Sequence, residues 1–182
     1  MERNCEQTVL EEKEFKLPEV GHIGYLVKDV SRVAECFKAM CGIQDFHIYY
    51  YIPQRAWAYG VNVFDCKFRI ALGKQERGAK IELIQVLSGV TTPQYIAFQQ
   101  SGEHIHHIAY YIDDYEAWRV HYLGMGATII FETHLEDEAL GKRSCFYATL
   151  SNMPHIIEII GRHTTTAIES EAIMEAHNGA GR

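Results

Sequence analysis

Two histidines open two similar stretches of this chain 85 positions apart: His22-Ile-Gly-Tyr-Leu-Val-Lys-Asp29 and His107-Ile-Ala-Tyr-Tyr-Ile-Asp-Asp114. Each is answered later by a glutamate set among aliphatic residues, Glu82 in Lys80-Ile-Glu-Leu-Ile84 and Glu158 in Ile156-Ile-Glu-Ile-Ile160. A carboxylate embedded in an apolar strand is costly unless something compensates its charge. A divalent cation would do so directly. Two neutral imidazoles and two carboxylates make a neutral site around it and leave one or two positions for water or substrate. Taken singly, each residue has an ordinary reading: a glutamate can face solvent from an edge strand, and a histidine can merely end one. The recurrence of both residue types at corresponding places favours a shared metal site built from His22, Glu82, His107 and Glu158.

The elements that must position these four follow from local patterns. Residues 21–27 alternate as a strand, and so do 107–112. Asp29 or Ser31 caps a helix that carries Val33, Phe37 and Met40 and stops at Gly42. Asp113 or Asp114 caps its counterpart, which carries Trp118 and Tyr122 and closes at Gly124 and Gly126. Residues 44–52, 57–64, 66–72 and 80–87 read as extended in the first half, and 127–132, 144–150 and 155–160 in the second, with 133–143 as a polar loop. Thr92-Pro93 opens a short linking helix. Each half thus reads strand, helix, three strands. The His-to-Glu separations are 60 and 51, so the first copy holds nine extra residues, best placed in the aromatic stretch 49–59. On alternation His106 faces away from His107 and is structural or supports the ligands from outside.

Bulk properties exclude several classes. The 182 residues suit one domain or two small fused modules. A net charge of -7 argues against nucleic acid or an anionic membrane as the main partner. No run is apolar and long enough to span a bilayer, and Met1–Phe15 lacks the apolar centre of a signal peptide, so a cytoplasmic location is expected. The five cysteines form no CxxC pair, which excludes a zinc ribbon and suggests reduced thiols. Nucleotide-binding glycine motifs and a nucleophile elbow are absent.

With these residues in hand, the chain resembles the vicinal oxygen chelate superfamily, also called the glyoxalase/bleomycin-resistance/dioxygenase superfamily, over residues 20–161. The resemblance implies an α+β fold: two βαβββ modules whose mixed sheet forms a cup around one metal. It places His22, Glu82, His107 and Glu158 on the ligand positions for one divalent ion (Zn, Co, Ni, Mn or Fe). It divides the chain into a lead-in (1–20), a first module with its linking helix (21–100), a second module (101–161) and a tail (162–182). Within the superfamily, Lys80–Gln85, Pro93 and Gly102–Ala109 are most similar to methylmalonyl-CoA epimerases. The ligand set is also similar to bacterial glyoxalase I.

The resemblance implies a metal-dependent isomerase or lyase that removes a proton beside a carbonyl, with Glu158 as the base. Its substrate would be a small molecule with vicinal oxygens, acyl-CoA among the options, and the protein would be a homodimer. The epimerase pattern calls for a second carboxylate before the third strand. Here that region reads Trp57–Asp65, so Asp65 is the nearest substitute. Tyr59, Lys142 and Arg143 are expected at the substrate, and Arg55, Lys67 and Arg69 are further cations for an anionic tail. An iron dioxygenase and a non-catalytic binding protein are the alternatives. Glu82 as a fourth ligand counts against the first of these, and retention of the ligand set against the second.

Overall fold

The computed structural model describes residues 14–137 and 141–162. The expectations for the first part of the lead-in and for the tail beyond Arg162 fall outside them. One mixed sheet of ten strands organises everything described. In chain order the elements are β1 (His22–Leu26), α1 (Val30–Cys41), β2 (Phe46–Tyr51), β3 (Arg55–Ala58), β4 (Val61–Asn62), β5 (Lys67–Gly73) and β6 (Lys80–Ser88). After these come α2 (Pro93–Ser101), β7 (His104–Ile112), α3 (Tyr115–Gly124), β8 (Thr128–Asp137), β9 (Gly141–Thr149) and β10 (Ile156–Arg162).

Helix starts follow the capping chemistry written in the sequence. The Asp29 carboxylate accepts from the backbone N–H groups of Ser31 and Arg32 at 2.9 and 3.2 Å. Asp114 accepts from that of Ala117 at 3.1 Å, and the Thr92 hydroxyl from that of Tyr95 at 3.2 Å. Gly42 ends α1 with φ +67, a left-handed conformation that suits glycine.

Strand order across the sheet is β2-β5-β6-β1-β7-β10-β9-β8-β3-β4. The four central strands are arranged around a β1–β7 antiparallel seam, with β6 parallel to β1 and β10 parallel to β7. Period-two alternation then splits the apolar residues between two faces. On the convex face, α1 covers Phe46, Ala71 and Leu83, and α3 covers Phe146, Ile157 and Ile159. On the concave face, Leu26, Tyr49, Phe68, Ile84, Phe131, Cys145, Tyr147 and Ile160 form the lining of a cup.

Three sequence expectations need correction. The stretch 133–143 is not a polar loop: β8 runs to Asp137 and β9 begins at Gly141, paired throughout as a long hairpin. Its outward residues are polar, which masks an inward row that includes buried Thr133 and Leu135. The strand expected at 107–112 starts three residues earlier, at His104. The first half also holds more than three strands after its helix. Between β2 and β5 the chain crosses to the far edge, where β3 pairs antiparallel with β8, Trp57 opposite Glu132 and Ala58 opposite Phe131. Only residues 52–54 join β2 to β3, so the two ends of the sheet are tied together. Across that closure the Tyr51 hydroxyl meets the Thr133 hydroxyl at 2.8 Å.

On the convex side of β8, the Glu132 carboxylate accepts from the Tyr115 hydroxyl at 2.7 Å and from the Arg119 guanidinium at 3.0 and 3.2 Å. It also lies 3.3 Å from the His134 ring. Burial opposes the charge, but these donors overcome it and hold the carboxyl down at about 2. A depressed carboxyl stabilises the fold above its unfolded pKa and loses that contribution as pH falls toward the folded value. Glu132→Gln is therefore expected to cost about 1–2 kcal/mol at pH 7, after discounting for solvent screening. Denaturant unfolding of both proteins should show the gap narrowing between about pH 4.5 and 2.

Candidate metal centre

Four neighbouring strands each contribute one side chain to the floor of the cup: Glu82 from β6, His22 from β1, His107 from β7 and Glu158 from β10. The register explains the convergence. Gly24 lies between Glu82 and His107 on the adjoining strands, and Ala109 lies between His22 and Glu158. The two crossings are the same arrangement built twice. Each histidine is two positions before a small residue, and that small residue makes room for the other module's imidazole. At Gly24 the requirement is severe, because a Cβ there would fall 2.0 Å from the His107 ring.

All four side chains are buried, at 2 % exposure for His22, 7 % for Glu82, 0 % for His107 and 4 % for Glu158. His22 Nε2 lies 3.0 Å from Glu158 Oε2, 3.3 Å from Glu82 Oε2 and 3.2 Å from His107 Nε2. His107 Nε2 lies 3.1 Å from Glu158 Oε2 and 3.4 Å from Glu82 Oε2. Ligands held about 2.1 Å from one cation sit about 3.0 Å apart at right angles and about 3.4 Å apart at tetrahedral angles. The observed separations span that range. The donor set fits a divalent ion in charge as well as in spacing.

Electrostatics point the same way. Burial alone would raise both carboxyls, yet the imidazoles hold Glu82 down at about 2 and Glu158 well below the carboxylate range. Burial alone would lower both histidines, yet Glu82 foremost for His22 and Glu158 foremost for His107 raise them. The two carboxylates thus demand positive charge at the centre of the cluster.

The outer nitrogens of the histidines are held too. His22 Nδ1 is 3.1 Å from the Tyr111 hydroxyl, and His107 Nδ1 is 3.1 Å from His106 Nδ1. Such partners fix the ring so that Nε2 faces inward. The His106 contact corrects the expectation that this residue faces away from His107. A bulge in β7, where Gly24 pairs with His107 and Tyr25 with Ile105, makes His106 the extra residue and turns it in beside its neighbour. Burial and the neighbouring His107 keep it neutral, with a pKa down at about 3, so its Nδ1 can accept a hydrogen bond from His107 Nδ1–H.

Above the cluster lies a cavity of about 60 Å³. Its lining includes Glu158, Arg143, Gln94, Tyr49, Tyr51 and Tyr147. Of the other residues singled out from sequence, Arg143 is here, but Asp65 and Tyr59 are not. Asp65 is exposed, accepts from the Ser88 hydroxyl at 2.7 Å and borders a different cleft, because the chain between β4 and β5 runs outside the cup. Tyr59 is 57 % exposed at the β3–β4 turn, with φ +50. The Lys142 side chain falls outside the described residues. Sequence reading missed Gly24 and Ala109, although a small residue two positions after each histidine was visible. It also missed Gln94, whose helical position gave no sign that it reaches the cup.

A glyoxalase/bleomycin resistance protein/dioxygenase superfamily model matches residues 21–146. The chain belongs to that superfamily. Comparison with curated protein sequences gives no match. Among solved structures, methylmalonyl-CoA epimerase from Mycobacterium tuberculosis superposes with a TM-score of 0.59 at 16% identity, over 85% of this chain and 93% of that one. A variant of the Streptomyces coelicolor epimerase, in complex with 2-nitronate-propionyl-CoA, gives 0.52 at 16% identity, over 81% and 99%. A mutant of 4-hydroxymandelate synthase from Streptomyces coelicolor gives 0.54 at 15% identity, over 94% of this chain and 58% of that one. These likenesses establish the shared cup fold. Among the described residues, no helix is long and apolar enough to cross a membrane.

Titration of the chelator-treated protein with Zn, Co, Ni or Mn should give one high-affinity ion per chain. His22→Ala or Glu82→Gln should weaken it at least about 100-fold by removing a ligand. Gly24→Ala, which leaves every ligand in place, should weaken it about 10–100-fold by displacing the His107 ring, as loss of a ligand's support does elsewhere.

Proposed function

We propose that the protein is a metal-dependent isomerase or lyase that removes a proton next to a carbonyl of a small molecule with vicinal oxygens. The observation that carries this reading is the arrangement of Glu158, which belongs to the four-residue cluster and also borders the cavity. A divalent ion at the cluster supplies Lewis-acid polarisation of the substrate oxygens. Glu158 takes the proton from the adjacent carbon. The Tyr147 hydroxyl and the Cys145 thiol stand beside this carboxylate, and burial first, then its charge, keeps both protonated. They are donors that steady Glu158 when it is ionised. The aromatic lining keeps bulk water from the carbon acid while its proton is away.

Among the described cavity-lining residues, Glu158 is the single carboxylate. That favours one group that takes the proton and returns it from the same side, to the neighbouring carbon or oxygen. The products of such a step are an isomer or a rearranged acyl compound. Two-base epimerisation would need a partner across the cup, and the residues there are Tyr49 and Tyr51, both held neutral by burial. The epimerases of the same fold carry acyl-CoA ligands, which makes an acyl-CoA the second substrate reading. A homodimer remains part of the proposal. A dioxygenase would need a three-ligand site, which Glu82 makes less suitable.

The test is proton exchange. In deuterated buffer the metal-loaded protein should wash the α-proton out of small 2-oxo and 2-hydroxy acids or acyl-CoA compounds, followed by NMR. Chelation should abolish exchange, and Glu158→Gln should slow it about 100-fold or more. Exchange that continues unchanged after the metal is removed would rule the mechanism out.

A further inference from the structure

Among the described residues, Arg143 is a cation without a counterion. It lies on the cup-facing row of β9 with Cys145 and Tyr147, and it lines the cavity. Among the described residues, no carboxylate forms an ion pair with it. The polar side chains that line the cavity with it include Tyr49, Tyr51 and Cys145. Phenols and thiols are ordinarily uncharged at neutral pH, so none of these three offers a negative charge.

The charge count sharpens the point. Glu82 and Glu158 neutralise a divalent ion between them, and their histidines are neutral when they bind it. Among the described lining residues, the charge then left facing the cavity is that of Arg143. Arg143 is half-buried, and a partly desolvated charge gains from a paired opposite charge. A guanidinium pairs best with a planar carboxylate, which it holds through two parallel N–H donors.

Two further observations define the ligand. Gln94 Oε1 is buried, lines the same cavity and has no hydrogen-bond partner, so a donor on the ligand would satisfy it. Along β9, Tyr147 stands opposite Glu158, and Arg143 is four positions further on, opposite Arg162. Four residues of strand are about 13 Å. The arginine side chain spans roughly half of that distance when it leans along the strand. The gap left between the guanidinium and the Glu158 end suits a compact molecule, as does a cavity of about 60 Å³.

We propose that the cup takes a small free carboxylic acid as its monoanion, with the carboxylate on Arg143, a hydroxyl or enol donor on Gln94 Oε1, and its reactive oxygens at the Glu158 end. This rests on the functional reading above and narrows its substrate class, small molecules with vicinal oxygens or acyl-CoA, to free acids.

Binding tests the inference without turnover. Metal-loaded protein is titrated calorimetrically with 2-oxo and 2-hydroxy acids of three to six carbons, with their neutral methyl esters, and with acetyl-CoA. At least one free acid should bind, and its ester should bind about tenfold or more weakly, because the ester cannot form the charged pair. Arg143→Gln should remove that discrimination, and Arg143→Lys should restore part of it. Equal binding of acid and ester, no binding of any acid, or tighter binding of acetyl-CoA than of every acid would each overturn the proposal. The wild-type comparison of acid with ester decides the matter even if the variants do not fold. Proton exchange that requires metal but shows no acid preference would leave the isomerase reading standing and remove only the substrate class.

Discussion

Two buried carboxylates facing two imidazoles at about 3 Å set the terms for the rest of this fold. In a dry interior, each carboxylate carries a desolvation cost that neighbouring apolar residues cannot relieve. The cluster tolerates Glu82 and Glu158 only because His22 and His107 point nitrogen at them from the intervening strands. The central strand order places these four residues side by side. The small residues Gly24 and Ala109 keep the rings from colliding with the backbone across from them. Sheet register and cation-binding geometry are therefore one constraint. A one-residue slip in β1 or β7 would turn its histidine to the convex face and leave two carboxylates unanswered.

The duplication explains why this much of the centre was legible in one sequence. Alternation marked 21–27 and 107–112 as strands, each opened by or near a histidine and answered by a glutamate in an aliphatic run, and the second copy repeated the pattern. Helix caps were legible to within two residues, with Asp29 chosen over Ser31 and Asp114 over Asp113 in the structure, because capping is chemistry between residues two or three apart. What escaped was nonlocal or irregular. The bulge that turns His106 inward breaks the alternation on which the reading relied. The β8–β9 hairpin carries Glu132 and His134 on its outer face, so it looks like a loop until Thr133 and Leu135 are seen facing the cup. The departure of β3 to the opposite edge of the sheet joins residues some 75 positions apart, and no local pattern specifies it.

The same limits apply to the chemistry. Ligands could be read from sequence because they come as a repeated set. Asp65 was a reasonable substitute for a second base by position, but the chain there runs outside the cup and gives its carboxylate to Ser88. That no described carboxylate pairs with Arg143 is a property of its surroundings in space. Its sequence neighbours Lys142 and Ser144 say nothing about which acids are absent around its head group.

The short span at residues 52–54 has a mechanical meaning. In an open curled sheet the two rims can move apart, and the width of the mouth is a soft coordinate. Here β2 ends on one rim and β3 begins on the other after three residues, so the rims are hinged to each other by covalent chain. The cup behaves less like a pair of hands and more like a hoop. Its aperture can deform by tilting strands, yet it cannot gape without stripping β3 from β8. The width of its mouth is therefore set by covalent chain as well as by strand pairing.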